Sequence, residues 1–159
     1  MTTQVKVAPQ GDREILITRS FNAPRALVFD AMSKPEMLKR WFSGPPGWTL
    51  STCDIDLRVG GSHRRVWTNE AGQEMMGMGG VYTEVVRPSR IVGTQKFDQA
   101  MVPGEAVVTF EFTEAKDITL MAMTIAYESK ETRDGMLTPQ MESGLNAGYD
   151  RLDQLLKTA

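Results

Sequence analysis

The scarcity of cysteine and histidine excludes several kinds of site. Cys53 is the single cysteine, which excludes an internal disulfide and a zinc site built from several thiolates. His63 is the single histidine, which excludes any site that needs two imidazoles. The glycine-rich stretches 60–61 and 77–80 carry no GxxxxGK[ST] sequence and precede no predicted helix, so they are not phosphate loops. The sequence accordingly predicts no metal, no cofactor and no catalytic residue.

Excess charge and long apolar runs are also missing. The 18 Lys and Arg residues nearly balance the 20 Asp and Glu residues, so the chain lacks the basic excess of a general nucleic-acid binder. No apolar run approaches the roughly 18 residues of a membrane span, and residues 1–12 have no apolar signal-peptide core. We therefore expect a cytoplasmic protein that neither binds nucleic acid nor inserts into a membrane.

Most of the sequence has the two-residue alternation of β-strands. Alternating residues rich in β-branched side chains predict a first strand over 13–22, with Ile15, Ile17 and Arg19 on one side. Glycine and proline turns separate the later runs, and such short turns require antiparallel neighbours. Further strands are predicted at 49–57, 62–69, 74–86, 91–98, 105–114 and 118–128.

Three helices are predicted around these strands. A short helix follows Asn22, which is the expected N-cap, with Pro24 in the first turn, and a second short helix covers 36–42. After a turn at 129–136, apolar residues recur at three- and four-residue spacing to the C-terminus, as on one helix face. Thr138 and Pro139 are the expected N-cap and first position of this long helix.

One antiparallel sheet has one face to bury, and the C-terminal helix is the long element available to cover it. The predicted fold class is therefore α+β: a curved antiparallel sheet of six to seven strands wrapped around a long C-terminal helix, with two short helices after the first strand. We expect a loose N-terminal tail at 1–12 and a single domain over 13–157.

Five segments in this order resemble one known family. The run CDIDLRVGG at 53–61 resembles the strand-turn signature of the activator of heat-shock-protein ATPase-like family, within the START-like (SRPBCC) superfamily of helix-grip proteins. The segment MGGVYTEVVRPSRIV at 78–92 is similar to its next block. Later blocks are matched by FD at 97–98, ESKETRD at 128–134 and GYDRLDQLL at 148–156. The resemblance implies a helix-grip fold with a cavity between the sheet and the long helix.

Rows of methionine and aromatic residues on the predicted strands are the candidate lining of such a cavity, because methionine adapts to uneven space. We expect Tyr82, Phe110, Met121 and Met141 to face the space between sheet and helix. Trp41, at one end of the 43–47 loop, either borders the cavity mouth or anchors the core. The candidate ligand-binding residues are Trp41, Trp67, Met78, Tyr82, Phe110, Phe112, Met121, Met123, Met141 and Gly144.

Two further features keep alternatives open. His63, Arg65 and Trp67 share one strand face, which either orients a polar group of a ligand or forms a solvated charged surface, and the second interpretation is preferred. Gly144 and Gly148 lie on the inward side of the long helix, where they either leave room for a ligand or permit close packing. We expect Gly148→Ala to cause overpacking and Gly144→Ala to be tolerated.

These residues and the family resemblance support three hypotheses about function. The leading hypothesis is a START-like domain that binds a small, mostly hydrophobic molecule, with no assigned catalysis. The second is a protein-interaction module related to the chaperone ATPase activators, with a chaperone or another protein as partner. The third is an enzyme that uses His63 or a carboxylate in the cavity. A cavity of roughly 300–1,000 Å³ with convergent polar groups favours ligand binding or catalysis over an interaction module.

Cys53 is predicted to be chemically inert in the folded protein. It lies on the apolar side of an alternating strand, where burial raises the pKa of a thiol and blocks access to it. A soluble thiol reagent is expected to label it slowly in the native protein and rapidly after denaturation. Rapid labelling of the native protein would instead indicate a reactive nucleophile.

Overall fold

Twelve elements are present in the computed structural model, which describes residues 4–99 and 104–158. The eight strands are β1 Lys6–Gln10, β2 Glu14–Phe21, β3 Thr49–Ile55, β4 Ser62–Thr68, β5 Glu74–Val86, β6 Arg90–Phe97, β7 Ala106–Ala115 and β8 Ile118–Ala126. The helices are α1 Arg25–Ala31, α2 Pro35–Trp41, α3 Lys130–Met136 and α4 Pro139–Leu156.

The strands form one antiparallel sheet in the order β1-β2-β8-β7-β6-β5-β4-β3. Strands β3 to β8 lie side by side in chain order. The α1–α2 connection carries the chain from β2 to the far edge at β3. Alternation puts one set of side chains on the inner face, where Ile15 and Ile17 of β2 are fully buried.

The C-terminal helix is fixed to this inner face through its second half. Its buried residues begin at Gly148 and include Leu152, which is fully buried. Arg19 of β2 is also buried and donates hydrogen bonds to Asp150 and Asp153 of α4, at 3.3 and 2.6 Å. A curved antiparallel sheet held around a long C-terminal helix is the helix-grip fold, so the predicted fold class is confirmed, with eight strands rather than six to seven.

The extra strand corrects the predicted loose tail. Residues 6–10 form β1 and pair with β2, and the preceding Val5 is buried and donates its backbone N–H to Asn146 of α4 at 3.2 Å. The strand is stabilised by backbone pairing rather than by an apolar face, because most of its side chains are exposed. The first part of the predicted tail, residues 1–3, lies outside the described residues.

Two local predictions about helices are wrong and one is confirmed. Residues 130–136 form α3 rather than a turn, with Ser129 as its N-cap. Asn22 does not cap α1, because the extended Pro24 occupies the N-cap position and its carbonyl accepts the first helical hydrogen bonds. Thr138 caps α4 through its side chain, and Pro139 occupies the first turn as predicted.

Candidate functional site

An apolar cavity of about 750 Å³ opens beside the first half of α4. The loop after α2 forms one wall of the cavity, and α4 and the end of α3 form the others. From the sheet, Met76 of β5 lines the cavity. Exposed residues on both sides of it place its mouth at the protein surface. The lining consists of Trp41, Phe42, Gly44, Pro45, Pro46, Met76, Gly135, Met136, Thr138, Gln140, Met141, Ser143, Gly144, Leu145, Ala147, Gly148, Tyr149 and Arg151.

Hydrogen bonds fix the loop wall of this cavity to α4 and to the core. The guanidinium of Arg151 donates to the carbonyl oxygens of Trp41 and Gly44, at 2.9 and 3.3 Å. The indole N–H of Trp41 donates to the carbonyl of Ala31 at 2.8 Å, and the ring packs 5.8 Å from that of Tyr149. Trp41 therefore both anchors the core and borders the cavity. The hydrogen bonds of Arg151 were not predicted from the sequence, because their acceptors are backbone oxygens more than 100 residues away along the chain.

Small residues on α4 keep this space open. Beyond its chain neighbours and the adjacent backbone of α4, a Cβ atom added at Gly144 would meet no described atom within 4 Å, and one added at Gly148 would meet only the Arg151 guanidinium at 3.8 Å. Gly148 is nevertheless a buried position of the helix. The expectation that Gly148→Ala causes overpacking is wrong, since 3.8 Å is an ordinary van der Waals distance. Tolerance of alanine at Gly144 stays a prediction, and the open space beside it favours that outcome.

Three of the ten predicted ligand-binding residues border the cavity and seven lie outside it. Trp41, Met141 and Gly144 are lining residues. The other seven face the inner side of the sheet, as the strand alternation predicts, and belong to the core or pack against it. The Phe110 ring, for example, stacks on Phe112 with 6.2 Å between the ring centroids. Of these seven, Trp67, Met78, Tyr82, Phe112 and Met121 are buried, whereas Phe110 and Met123 are half-buried. Ligand contact stays a prediction for all ten.

The face shared by His63, Arg65 and Trp67 points inward, so the preferred interpretation as a solvated surface is wrong. His63 and Trp67 are buried, and Arg65 is half-buried between its cross-strand partners Cys53 and Met78. The neighbouring residue, Arg64, faces outward and forms an ion pair with Asp98. Both faces of β4 carry an arginine, and only the tertiary structure shows which of the two faces is buried.

His63 has both ring nitrogens engaged within the protein. Its Nδ1 lies 3.2 Å from a guanidinium nitrogen of Arg65, which can only donate, and its Nε2 lies 2.9 Å from the carbonyl oxygen of Thr94, which can only accept. This pair of partners assigns the proton to Nε2. Burial, reinforced by the charge of Arg65, lowers the pKa of the imidazole. Burial also raises the pKa values of the nearby Cys53 thiol and Tyr82 phenol, so both stay protonated at neutral pH.

Neither a metal-binding cluster nor a membrane-spanning helix occurs within residues 4–99 and 104–158. No group of three or more His, Cys, Asp or Glu side chains in this part of the chain is placed to hold a metal ion. None of its helices is long and apolar enough to cross a membrane.

The sheet, the gripped helix and the cavity beside it define a START-like, helix-grip protein. The sequence matches the family model described as "Activator of Hsp90 ATPase homolog 1-like protein" over residues 22–157, and the chain belongs to that family. The resemblance seen in the sequence segments is thus confirmed.

Solved structures from several organisms share the fold. A Rhodobacter sphaeroides protein is similar at 25% identity with a TM-score of 0.91, covering 98% of this chain and 99% of that one. A Nitrosomonas europaea protein gives 24% identity and a TM-score of 0.80, with 95% and 98% covered. An HSP90 activator from Plasmodium falciparum gives 26% identity and a TM-score of 0.54, with 72% of each chain covered. A search of curated protein sequences finds no match.

His63 is expected to titrate below its ordinary pKa of 6.5, because burial and Arg65 disfavour the imidazolium. As the single histidine, it gives one resolvable set of ring signals, and NMR titration measures its midpoint directly. The unfolded chain takes up this proton near pH 6.5 while the folded chain does not, so stability from this group falls as the pH drops below 6.5. His63→Gln removes that dependence. A midpoint at or above 6.5 would contradict the buried, neutral assignment.

Gly144→Ala and Gly148→Ala are each expected to raise the free energy of unfolding by up to about 1 kcal/mol, because alanine favours the helix and neither methyl meets a close neighbour. Gly80→Ala is the matched contrast, since its Cβ would collide with the Thr94 carbonyl oxygen and should be strongly destabilising. Urea denaturation of the three variants measures these differences. Loss of stability at Gly144 or Gly148 would show that the helix packs more tightly there than the structure indicates.

Proposed function

We propose that this chain binds a small, mostly hydrophobic molecule in the apolar cavity beside α4. The observation that carries the proposal is the cavity itself: about 750 Å³, bordered by aromatic, methionine and small side chains, within the roughly 300–1,000 Å³ range of small-molecule sites. The adaptable Met76, Met136 and Met141 on different walls suit ligands of variable shape. We propose no reaction, because both nitrogens of His63 are already hydrogen-bonded within the protein.

The binding test uses N-phenyl-1-naphthylamine, an uncharged dye whose fluorescence rises in apolar surroundings. Gly144→Phe is expected to weaken its binding by about tenfold, or ~1.4 kcal/mol, because the added ring projects into open space bordering the cavity. Fluorescence titration gives the dissociation constants of the native chain and the variant.

Gln154→Phe is the matched control for this test. It places the same ring at an exposed position of the same helix that is outside the cavity lining, so dye affinity should stay unchanged. Equal affinity of the native chain and the Gly144→Phe variant, or no dye binding by the native chain, would refute the proposed site.

A second candidate function is binding to a chaperone. Family membership and the fold shared with the Plasmodium falciparum HSP90 activator favour it. The test adds the purified chain to an Hsp90-class chaperone and measures ATP hydrolysis and co-sedimentation. Unchanged hydrolysis and no co-sedimentation at micromolar concentrations would refute this candidate while leaving ligand binding in place.

A further inference from the structure

Arg65 differs from the other inward-facing arginine of the sheet in having no counter-charge. Arg19 is buried in β2 and is paired with Asp150 and Asp153. Arg65 lies within 4 Å of no carboxylate among the described residues. Both arginines bury an Nε without a hydrogen-bond partner there, so the missing carboxylate is what distinguishes Arg65. A half-buried guanidinium without an anion beside it loses part of its hydration uncompensated, so this position favours binding of an anion.

The neighbours of Arg65 orient it without neutralising it. His63 accepts a hydrogen bond from one terminal nitrogen and is itself held by Thr94, which fixes the guanidinium on the inner face. The hydroxyl of Tyr82 and the thiol of Cys53 lie on the same face and are uncharged at neutral pH. The positive charge of Arg65 is therefore available to a ligand.

Register on the sheet connects Arg65 to the apolar cavity. Arg65 pairs with Met78, and Trp67 pairs with Met76, so Arg65 and Met76 are diagonal neighbours on the inner face. Diagonal neighbours lie about 7–8 Å apart, within reach of two long side chains. Met76 lines the cavity, and both Met76 and Arg65 retain partial exposure. A molecule that fills the cavity past Met76 would bring its end towards the guanidinium.

We propose that Arg65 binds the carboxylate of an amphipathic ligand whose apolar part occupies the cavity, an assignment that rests on the proposed binding function. One fixed guanidinium matches the single charge of a carboxylate, whose oxygens accept charge-assisted hydrogen bonds from guanidinium N–H groups. A doubly charged phosphate would call for more than one cation, whereas the inner face of β4 offers Arg65 beside an imidazole whose pKa is lowered by burial.

The test compares decanoate and 1-decanol, which share a ten-carbon chain and differ in the charged end, as competitors of bound N-phenyl-1-naphthylamine. In the native chain, decanoate is expected to displace the dye at about tenfold lower concentration than 1-decanol. Arg65→Gln should abolish that difference, with each displacement curve referred to the dye affinity of the same variant. Arg65→Lys keeps the charge and should retain a smaller preference for decanoate, which keeps the test decisive if the glutamine variant does not fold.

Arg64→Gln is the matched control, because it removes the same charge from the adjacent, outward-facing residue of β4. It should leave the preference for decanoate intact. Equal displacement by decanoate and 1-decanol in the native chain would overturn the role of Arg65 while leaving the cavity proposal standing. Equal loss of the preference in the Arg64 and Arg65 variants would also overturn it, since net charge rather than a site would then be responsible. Failure of the dye to bind the native chain would refute the proposed function itself.

Discussion

The ion pair between Arg19 and two carboxylates of α4 is the interaction on which the shape of the interior depends. A buried guanidinium is expensive without partners, so Arg19 holds Asp150 and Asp153 against β2 and places the second half of the helix. Leu152, on the same turns, completes the contact in the core. The first half of α4 forms no such ion pair within the described residues; Val5 holds it through a hydrogen bond to Asn146, and it carries small residues beside the cavity. The open space therefore lies along the half of the helix that lacks the buried ion pair.

The remaining walls are held by polar contacts to backbone atoms. Arg151 donates to the carbonyls of Trp41 and Gly44, so the helix that leaves the space open also fixes the loop that borders it. Trp67 donates its indole N–H to the carbonyl of Phe42 at 2.9 Å, which joins β4 to the same loop. These bonds give an apolar cavity a defined edge, because they satisfy loop carbonyls that would otherwise need water. A pre-formed space of this kind reduces the ordering cost of binding a ligand.

Family membership defines the scaffold and leaves the function to the site. The same fold occurs in an HSP90 activator and in proteins from Rhodobacter sphaeroides and Nitrosomonas europaea, and a shared fold by itself assigns no activity. In this chain the distinguishing features are local: the open first half of α4, and an inward arginine on β4 that pairs with no carboxylate of the described residues. Both features are compatible with a small-molecule ligand, and neither requires a protein partner.

Local periodicity predicted most of the elements and showed which residues of each share a face. The alternation of Ile15, Ile17 and Arg19 correctly predicted one inner face, and Thr138 with Pro139 correctly marked the start of α4. The strand β1 was not predicted, because most of its side chains are exposed and show no alternation of apolar and polar residues. Backbone pairing with β2 stabilises it instead. For the site, the sequence identified Trp41, Met141 and Gly144 but not Arg151. The sequence also could not decide which face of β4, the one with Arg64 or the one with Arg65, is buried. Strand periodicity shows which residues share a face, whereas the burial of that face depends on the elements packed against it.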